Sequence, residues 1–314
     1  MMFLGIDTSN YTTSAALYNG ETGEIWQEKK LLPTPPGALG LRQSDAVFAH
    51  VKQLGEVVER LMAATPQNVR LDGVGVSAFP RREEGSYMPC FLVGETTARV
   101  LAAAEHVPLY RFSHQEGHIM AALYSAGRMN WVSRPFLAFH LSGGTTDALL
   151  VEPEGRFFTV RRVGGSLDLK AGQAVDRVGL LLGLSFPCGP ELSRLAAEWE
   201  EPIRVKPVMK GTGCCLSGIE NKCAEFTRQG KPAPYIARYC LEAIAAALAG
   251  MTEALLREYG ELPLLYAGGV MSSGLIRRKM EAAYGGVFAQ PAFSSDNAAG
   301  TAILAAAAAK GGAE

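Results

Sequence analysis

The sequence predicts an α/β protein made of two lobes on one duplicated plan, with a ligand cleft between the lobes. Its 314 residues exceed the roughly 100–200 residues of a typical single domain. A strand–turn–strand segment near the N-terminus recurs at an offset of 133 residues, with seven of sixteen positions identical. Strand and helix patterns also alternate in both halves. We expect residues 1–112 and 297–314 to form the N-terminal lobe and residues 113–296 the C-terminal lobe.

The two copies of the repeat are residues 3–18, "FLGIDTSNYTTSAALY", and residues 136–151, "FLAFHLSGGTTDALLV". Each copy has two apolar strands joined by a short turn of Ser, Thr, Gly and Asn. Such a turn offers backbone N–H groups and hydroxyls to a phosphate, although small polar residues also form ordinary hairpins. Because the same turn occurs once in each half, we favour a pair of phosphate-binding loops.

The remaining elements follow from hydrophobic periodicity. In the first half we predict a helix over residues 44–64, a strand over 69–79 and a helix over 94–106. In the second half the pattern predicts helices over 168–183, 234–260, 273–285 and 294–309, with a buried strand over 262–270.

Composition excludes several classes of protein. Hydrophobic residues make up 48% of the chain and charged residues 19%, which suits packed cores and excludes a disordered or fibrous chain. A net charge of −1 excludes binding of nucleic acid by bulk charge alone, so a polynucleotide substrate would need local patches or partner proteins. With no secretion signal and no uncharged apolar run near the ~20 residues of a membrane span, we expect a soluble cytoplasmic protein.

The six cysteines form no CxxC pair, so we predict reduced packing residues. A metal site of Cys214, Cys215 and Cys223 is a weaker alternative, because adjacent cysteines rarely both bind one tetrahedral ion.

A candidate metal site begins at Ser113. Ser113 with Glu116 three residues later has the form of a capping box, which predicts a helix start. His114 and His118 would then lie on one face of that helix, as metal ligands or as buried structural histidines. Asp296, before the last predicted helix, is a candidate third ligand or a helix cap. Glu116 is misplaced for the HExxH motif of metallopeptidases, so we assign it to capping and discount a peptidase.

Six motifs, spread in order over nearly the whole chain, resemble one known family. They are "GIDTS", "HQEGH", "LSGGTT", "AGQAVDRVGLLLGLSFPCGP", "AGGV" and "SDNAAG". The chain is similar to the transferases of tRNA threonylcarbamoyladenosine synthesis, formerly described as O-sialoglycoprotein endopeptidases. Its duplicated hairpins also resemble the plan of the superfamily of actin, sugar kinases and heat-shock ATPases.

The resemblance implies a reaction and a set of site residues. A threonylcarbamoyl group would pass from its adenylate, made with ATP, to the exocyclic amine of an adenosine beside a tRNA anticodon. His114, His118 and Asp296 would hold iron or zinc. Catalytic residues would be Asp7 and Ser9. The nucleotide would be bound by a larger set of residues: Ser142, Gly143, Gly144, Thr145, Asp176, Gly189, Gly268 and Gly269.

The partners implied are a nucleotide and a tRNA, with help from other proteins in a hetero- or homodimer, and no membrane. Several departures from the family pattern point to a divergent paralogue. Residues 9–13 read "SNYTT" where the family has SCDET, and Thr145 and Ser273 stand where it has His and Asn. Residues 77–94 replace a loop of small residues, and their "RREE" is a solvated loop or a new substrate contact. A different carbamoyl acceptor, or a nucleotide-binding scaffold with reduced catalysis, are therefore the alternatives.

Overall fold

The computed structural model describes residues 1–9, 11–33, 41–66, 69–155, 157–294 and 298–310. The strands, in chain order, are β1 (Met2–Asp7), β2 (Thr12–Asn19), β3 (Ile25–Leu31), β4 (Gly73–Phe79), β5 (Leu109–Ser113), β6 (Phe136–Leu141), β7 (Thr146–Glu154), β8 (Phe157–Ser166), β9 (Val208–Lys210), β10 (Gly213–Cys215), β11 (Leu264–Ala267) and β12 (Val287–Phe288). The helices are α1 (Gln43–Ala64), α2 (Phe91–Ala104), α3 (His114–Ser125), α4 (Ala171–Leu181), α5 (Gly189–Ala197), α6 (Ser217–Arg228), α7 (Ala233–Tyr259), α8 (Gly274–Tyr284), α9 (Pro291–Ser294) and α10 (Ala299–Ala309).

Two sheets repeat one arrangement and confirm the predicted duplicated α/β plan. The first sheet has the order β3-β2-β1-β4-β5, and the second contains the matching run β8-β7-β6-β11-β12, extended by β10 and β9. In each, an antiparallel pair carries the repeat, and Phe3 opposite Tyr18 matches Phe136 opposite Val151. The offset of 133 seen in the sequence is therefore also an offset in strand register.

The chain divides into two compact units. The first consists of Met1–Ser133, Glu154–Val160 and Asp296–Glu314, and the second of Arg134–Pro153 and Arg161–Ser295. The predicted lobes differ from these units, because the expected boundary at residue 112 lies before α3. In the structure α3 packs against α10 and β4, which keeps it in the first unit. The cleft predicted between the lobes stays a prediction.

Helix α7 is the central helix of the second unit. By length and composition it could cross a membrane, but 61% of its most apolar window is buried. Its buried face includes Cys240, Leu241, Ile244 and Leu248, which pack with the strands and helices of the second core. This burial is what a core helix of a globular unit requires.

Two predictions differ in detail from the structure. The helix expected from residue 168 begins at Ala171, because the Asp168 carboxylate instead accepts hydrogen bonds from Leu216 N at 2.7 Å and Ser217 Oγ at 2.5 Å. That carboxylate caps the neighbouring helix α6. The last predicted helix, over 294–309, begins at Ala299 and is preceded by the separate short helix α9.

The cysteines are free thiols, and all except Cys215 are buried. Burial raises the pKa of the Cys214 and Cys223 thiols to about 12. The alternative of a metal site at these cysteines is disfavoured by geometry, because among the residues that the structure describes no three His, Cys or acidic side chains are grouped to hold a metal ion.

Candidate active site

The turn after β1 in the first unit surrounds the buried carboxylate of Asp7 with donors. Ser9 donates to Oδ1 through its backbone N at 2.8 Å and through its hydroxyl at 2.5 Å. Ser77 of β4 donates to Oδ2 at 2.8 Å, and Nδ1 of His114 lies 2.7 Å from the same oxygen. Asp7 thus joins the first strand, the fourth strand and the start of α3. Ser77 was not predicted from the sequence, where it is one residue of an ordinary strand.

Asp7 is ionised and orders the His114 ring. Burial raises the pKa of the Asp7 carboxyl, but the charge of His114 and the hydrogen bonds from His114 and Ser9 outweigh it and lower the pKa overall. An ionised carboxylate has no proton to donate, so the proton of this hydrogen bond belongs to Nδ1 of His114. When the His114 ring is neutral, its other nitrogen, Nε2, carries the lone pair.

The two histidines of "HQEGH" meet on α3 as the sequence predicts. Nε2 of His118 lies 2.8 Å from Nε2 of His114. The capping box is confirmed: Ser113 Oγ accepts from Glu116 N at 3.2 Å, and Glu116 Oε2 accepts from Ser113 N at 2.7 Å. Two imidazole nitrogens this close either share one proton or bind one cation through both lone pairs. The carboxylate behind His114 is the usual companion of a metal-binding histidine.

Helix α10 packs against α3 at Gly117, the residue before His118. A Cβ on Gly300 would lie 1.8 Å from the carbonyl oxygen of Gly117, so the two backbones are in direct contact. This contact explains why the residue in "SDNAAG" at position 300 is a glycine. The predicted third ligand, Asp296, lies outside the described residues, and within residues 1–9, 11–33, 41–66, 69–155, 157–294 and 298–310 no group of three or more acidic, His or Cys side chains is arranged to hold a metal.

The second repeat forms an open turn between β6 and β7 in the second unit. Ser142 N donates to Thr145 O at 2.7 Å, and Thr145 N donates to Ser142 Oγ at 3.1 Å. Gly143 and Gly144 at its tip are exposed, and a Cβ on either would meet no atom within 4 Å. Helix α4 begins against this turn, where a Cβ on Gly172 would lie 2.5 Å from Gly143 N. The turn therefore offers accessible backbone at a helix start, which suits a phosphate.

A second glycine turn lies at the same sheet edge. Gly268 and Gly269 follow β11, which pairs in parallel with β6, so the carboxyl ends of both strands meet there. Ligands of open α/β sheets bind at such edges. Ser273, which ends this turn, is buried and its hydroxyl has no hydrogen-bond partner among the described residues. The sequence singled out Ser273 only as a departure from the family pattern.

Asp176 and Gly189 are brought together by the backbone of Cys188, whose N–H donates to Asp176 Oδ1 at 3.0 Å. Burial raises the pKa of the Asp176 carboxyl, and the Cys188 hydrogen bond only partly opposes the rise. Gly189 opens α5 directly after this contact. The predicted site residues thus form an Asp–Ser–His group in the first unit and glycine turns with an acid in the second; their roles stay predictions.

Comparison with known proteins finds a matching family. Residues 31–303 match the family model described as tRNA N6-adenosine threonylcarbamoyltransferase. Two proteins of that name from Thermus thermophilus strains are 35% and 33% identical to this chain. The first match covers 96% of this chain and 90% of the relative, and the second 97% and 92%.

The similarity of this chain to solved structures concerns the fold alone. Component A of the (R)-2-hydroxyglutaryl-CoA dehydratase of Acidaminococcus fermentans superposes with a TM-score of 0.58 at 16% identity, over 99% of each chain. That protein has the actin-like ATPase and sugar kinase fold, which confirms the fold predicted from the paired hairpins.

Proposed function

Because this chain belongs to the tRNA N6-adenosine threonylcarbamoyltransferase family, a family of transferases of tRNA modification, we propose how it acts. It transfers the threonylcarbamoyl group from an adenylate donor to the exocyclic amine of a tRNA adenosine beside the anticodon. A metal ion held by this chain would assist this transfer. In this step the amine nitrogen bonds to the carbamoyl carbon, the bond from that carbon to the adenylate phosphate oxygen breaks, AMP leaves, and the amine proton passes to water.

The observation that carries the proposal is the His114–His118 pair with ionised Asp7 behind it. The residues fit a divalent ion such as iron or zinc: two imidazole nitrogens converge and Asp7 fixes the tautomer of His114. Asp296 is the third ligand in this proposal, and the contact of Gly300 with Gly117 supports it by holding the start of α10 at α3. The ion supplies Lewis acidity when bound, which draws charge from the donor carbonyl.

The chain's own groups have separate tasks. Asp7 holds the proton at Nδ1 of His114, and Ser9 keeps that carboxylate ionised by donating two hydrogen bonds to it. Backbone N–H groups of Gly143 and Gly144 bind donor phosphate oxygens. The Asp176 carboxyl and the backbone at Gly189 and Gly269 contact the adenosine part of the donor.

We also propose partner proteins and a cytoplasmic location. The net charge of −1 supports the need for partners, because a tRNA is bound largely through its phosphates.

Two measurements test the proposal. Mass spectrometry of tRNA should show less N6-threonylcarbamoyladenosine in a strain that lacks this gene, restored by the wild type and not by His118→Ala. Metal analysis of the purified full chain should show loss of metal in His118→Ala and Asp296→Ala. The control is His106→Asn, an exposed histidine with a positive φ of 55° that Asn tolerates. Equal metal content in the wild type and all variants would refute the metal site. An unchanged level of N6-threonylcarbamoyladenosine in tRNA of the deletion strain would refute tRNA as the acceptor.

One observation favours a different acceptor or a catalytically reduced scaffold as the second candidate. Where the family has two acids, this chain has Tyr11, which is exposed, and Thr12, which is buried. Neither side chain has a carboxylate that could act as the family's acids do. ATP binding without transfer to tRNA or to small amines would favour the scaffold; transfer to a small molecule would favour the changed acceptor.

A further inference from the structure

The loop between β4 and α2 is attached to the first turn of α3. Gln115 N donates to Pro80 O at 3.2 Å, and Nε of Arg82 donates to Oε1 of Glu116 at 2.8 Å. The loop also has a hydrogen bond of its own, in which Arg81 N donates to Ser86 Oγ at 3.0 Å. This is the segment in which "RREE" replaces the small residues of the similar family.

Glu116 links this loop to the start of the helix. Its side chain is only 7% exposed, whereas that of Arg82 is 60% exposed. Oε2 of Glu116 accepts from the backbone N and the hydroxyl of Ser113, both at 2.7 Å, while Oε1 accepts from Arg82. Loss of Arg82 would therefore leave a buried carboxylate without its cation, which costs more than loss of an exposed ion pair.

We propose that Arg82 is a positioning residue for the histidine pair: acting through Glu116, it holds the first turn of α3 so that His114 and His118 converge. The inference rests on the proposed function, in which those histidines bind a metal ion. His114 directly follows the capping residue Ser113, and His118 lies one turn later. A shift or fraying of the first turn therefore moves the two Nε2 atoms relative to each other.

The expected effect is smaller than that of a direct neighbour of a ligand. Groups that hydrogen-bond to a metal ligand typically change metal affinity by about 10–100-fold. Arg82 acts one residue further away, so we expect Arg82→Gln to weaken Zn²⁺ binding by about 3–10-fold. Arg82→Lys keeps the charge near Glu116 and should stay within about twofold of wild type.

The experiment measures Zn²⁺ affinity of the full chain by competition with a chromophoric chelator. The control is Arg99→Gln, since Arg99 is another exposed arginine in the first unit that pairs with a largely buried glutamate; Glu95 lies 3.2 Å from Arg99 and also pairs with Arg111 at 3.0 Å. Arg99→Gln should bind Zn²⁺ like the wild type. If Arg82→Gln binds as tightly as Arg99→Gln while His118→Ala binds weakly, the role of Arg82 is refuted and the metal site stands. If His118→Ala also binds like wild type, both proposals fall.

A double-mutant cycle separates positioning from general stability. Glu116→Gln keeps a side chain that can cap the helix but removes the charge on which Arg82 acts. The double variant Arg82→Gln, Glu116→Gln should then bind Zn²⁺ as Glu116→Gln alone does. Additive losses in the double variant, or a weaker affinity that only follows a lower melting temperature, would overturn the inference.

Discussion

The crossing of α3 and α10 yields the sharpest stability prediction. Gly300→Ala places a Cβ 1.8 Å from Gly117 O, 2.6 Å from its carbonyl carbon and 2.9 Å from Ala121 N. All three are backbone atoms, so no side chain can turn aside to make room, and the helices must separate. Overpacking costs typically 1–3 kcal/mol and occasionally more, and we expect about 3–5 kcal/mol here.

The same substitution at another glycine should have the opposite effect on stability. Gly55 lies in α1, and a Cβ there would meet no atom within 4 Å, so Gly55→Ala should stabilise by about 0.5–1 kcal/mol through helix propensity. Gly117→Ala is intermediate, because its nearest neighbour is a side-chain atom, Thr301 Oγ1, at 3.1 Å. We expect it within about 1 kcal/mol of wild type, since the gain in propensity offsets the contact.

Scanning calorimetry of the full chain measures the effect. At about 2–4 °C per kcal/mol for a unit of this size, Gly300→Ala should lower the melting temperature by roughly 6–20 °C. Gly55→Ala should raise it slightly. A Gly300→Ala protein as stable as wild type would refute the helix contact and, with it, the explanation given for Gly300.

Two further predictions concern the second unit. Burial raises the pKa of Asp168, but hydrogen bonds from Ser217, Leu216 and Leu169 outweigh it and lower the pKa from 3.8 to about 2. Because the pKa is lower in the folded than in the unfolded chain, the ionised carboxylate stabilises the folded state at pH values above its unfolded pKa. This stabilisation is lost as the pH falls toward 2. Allowing for the exposure of this residue, Asp168→Asn should cost about 1 kcal/mol in urea unfolding at pH 7, and the difference should shrink between pH 4 and pH 2. A constant difference over that range, or an equal loss in the exposed-loop variant Glu84→Gln, would contradict this account. Gly143→Val fills the open phosphate turn, so ATP affinity by calorimetry should fall at least about tenfold with little change in stability, because a Cβ at this position would meet no atom within 4 Å. Unchanged ATP affinity, or an equal loss in the control Gly55→Val, would argue against this turn as the phosphate site.

The fold was largely predictable because its signals are local or repeated. Hydrophobic periodicity located the long helices α1, α7 and α8 to within a few residues. A predicted helix boundary was wrong where a side chain hydrogen-bonds to a distant part of the chain. The Asp168 carboxylate caps α6 instead of starting a helix of its own. The lobe boundary differed for a similar reason, since only packing assigns α3 to the first unit.

In the candidate site, the sequence by itself determined the capping box, the one-turn spacing of His114 and His118, and the duplicated turns. These features depend on neighbours within one helical turn or on comparison of the chain with itself. The tertiary structure alone decided that Asp7 orders His114, although the two are 107 residues apart, and that Gly300 meets Gly117. It also decided that Arg82 reaches Glu116. Such contacts arise from how sheets and helices pack, and packing brings together residues whose separation along the chain carries no periodic signal.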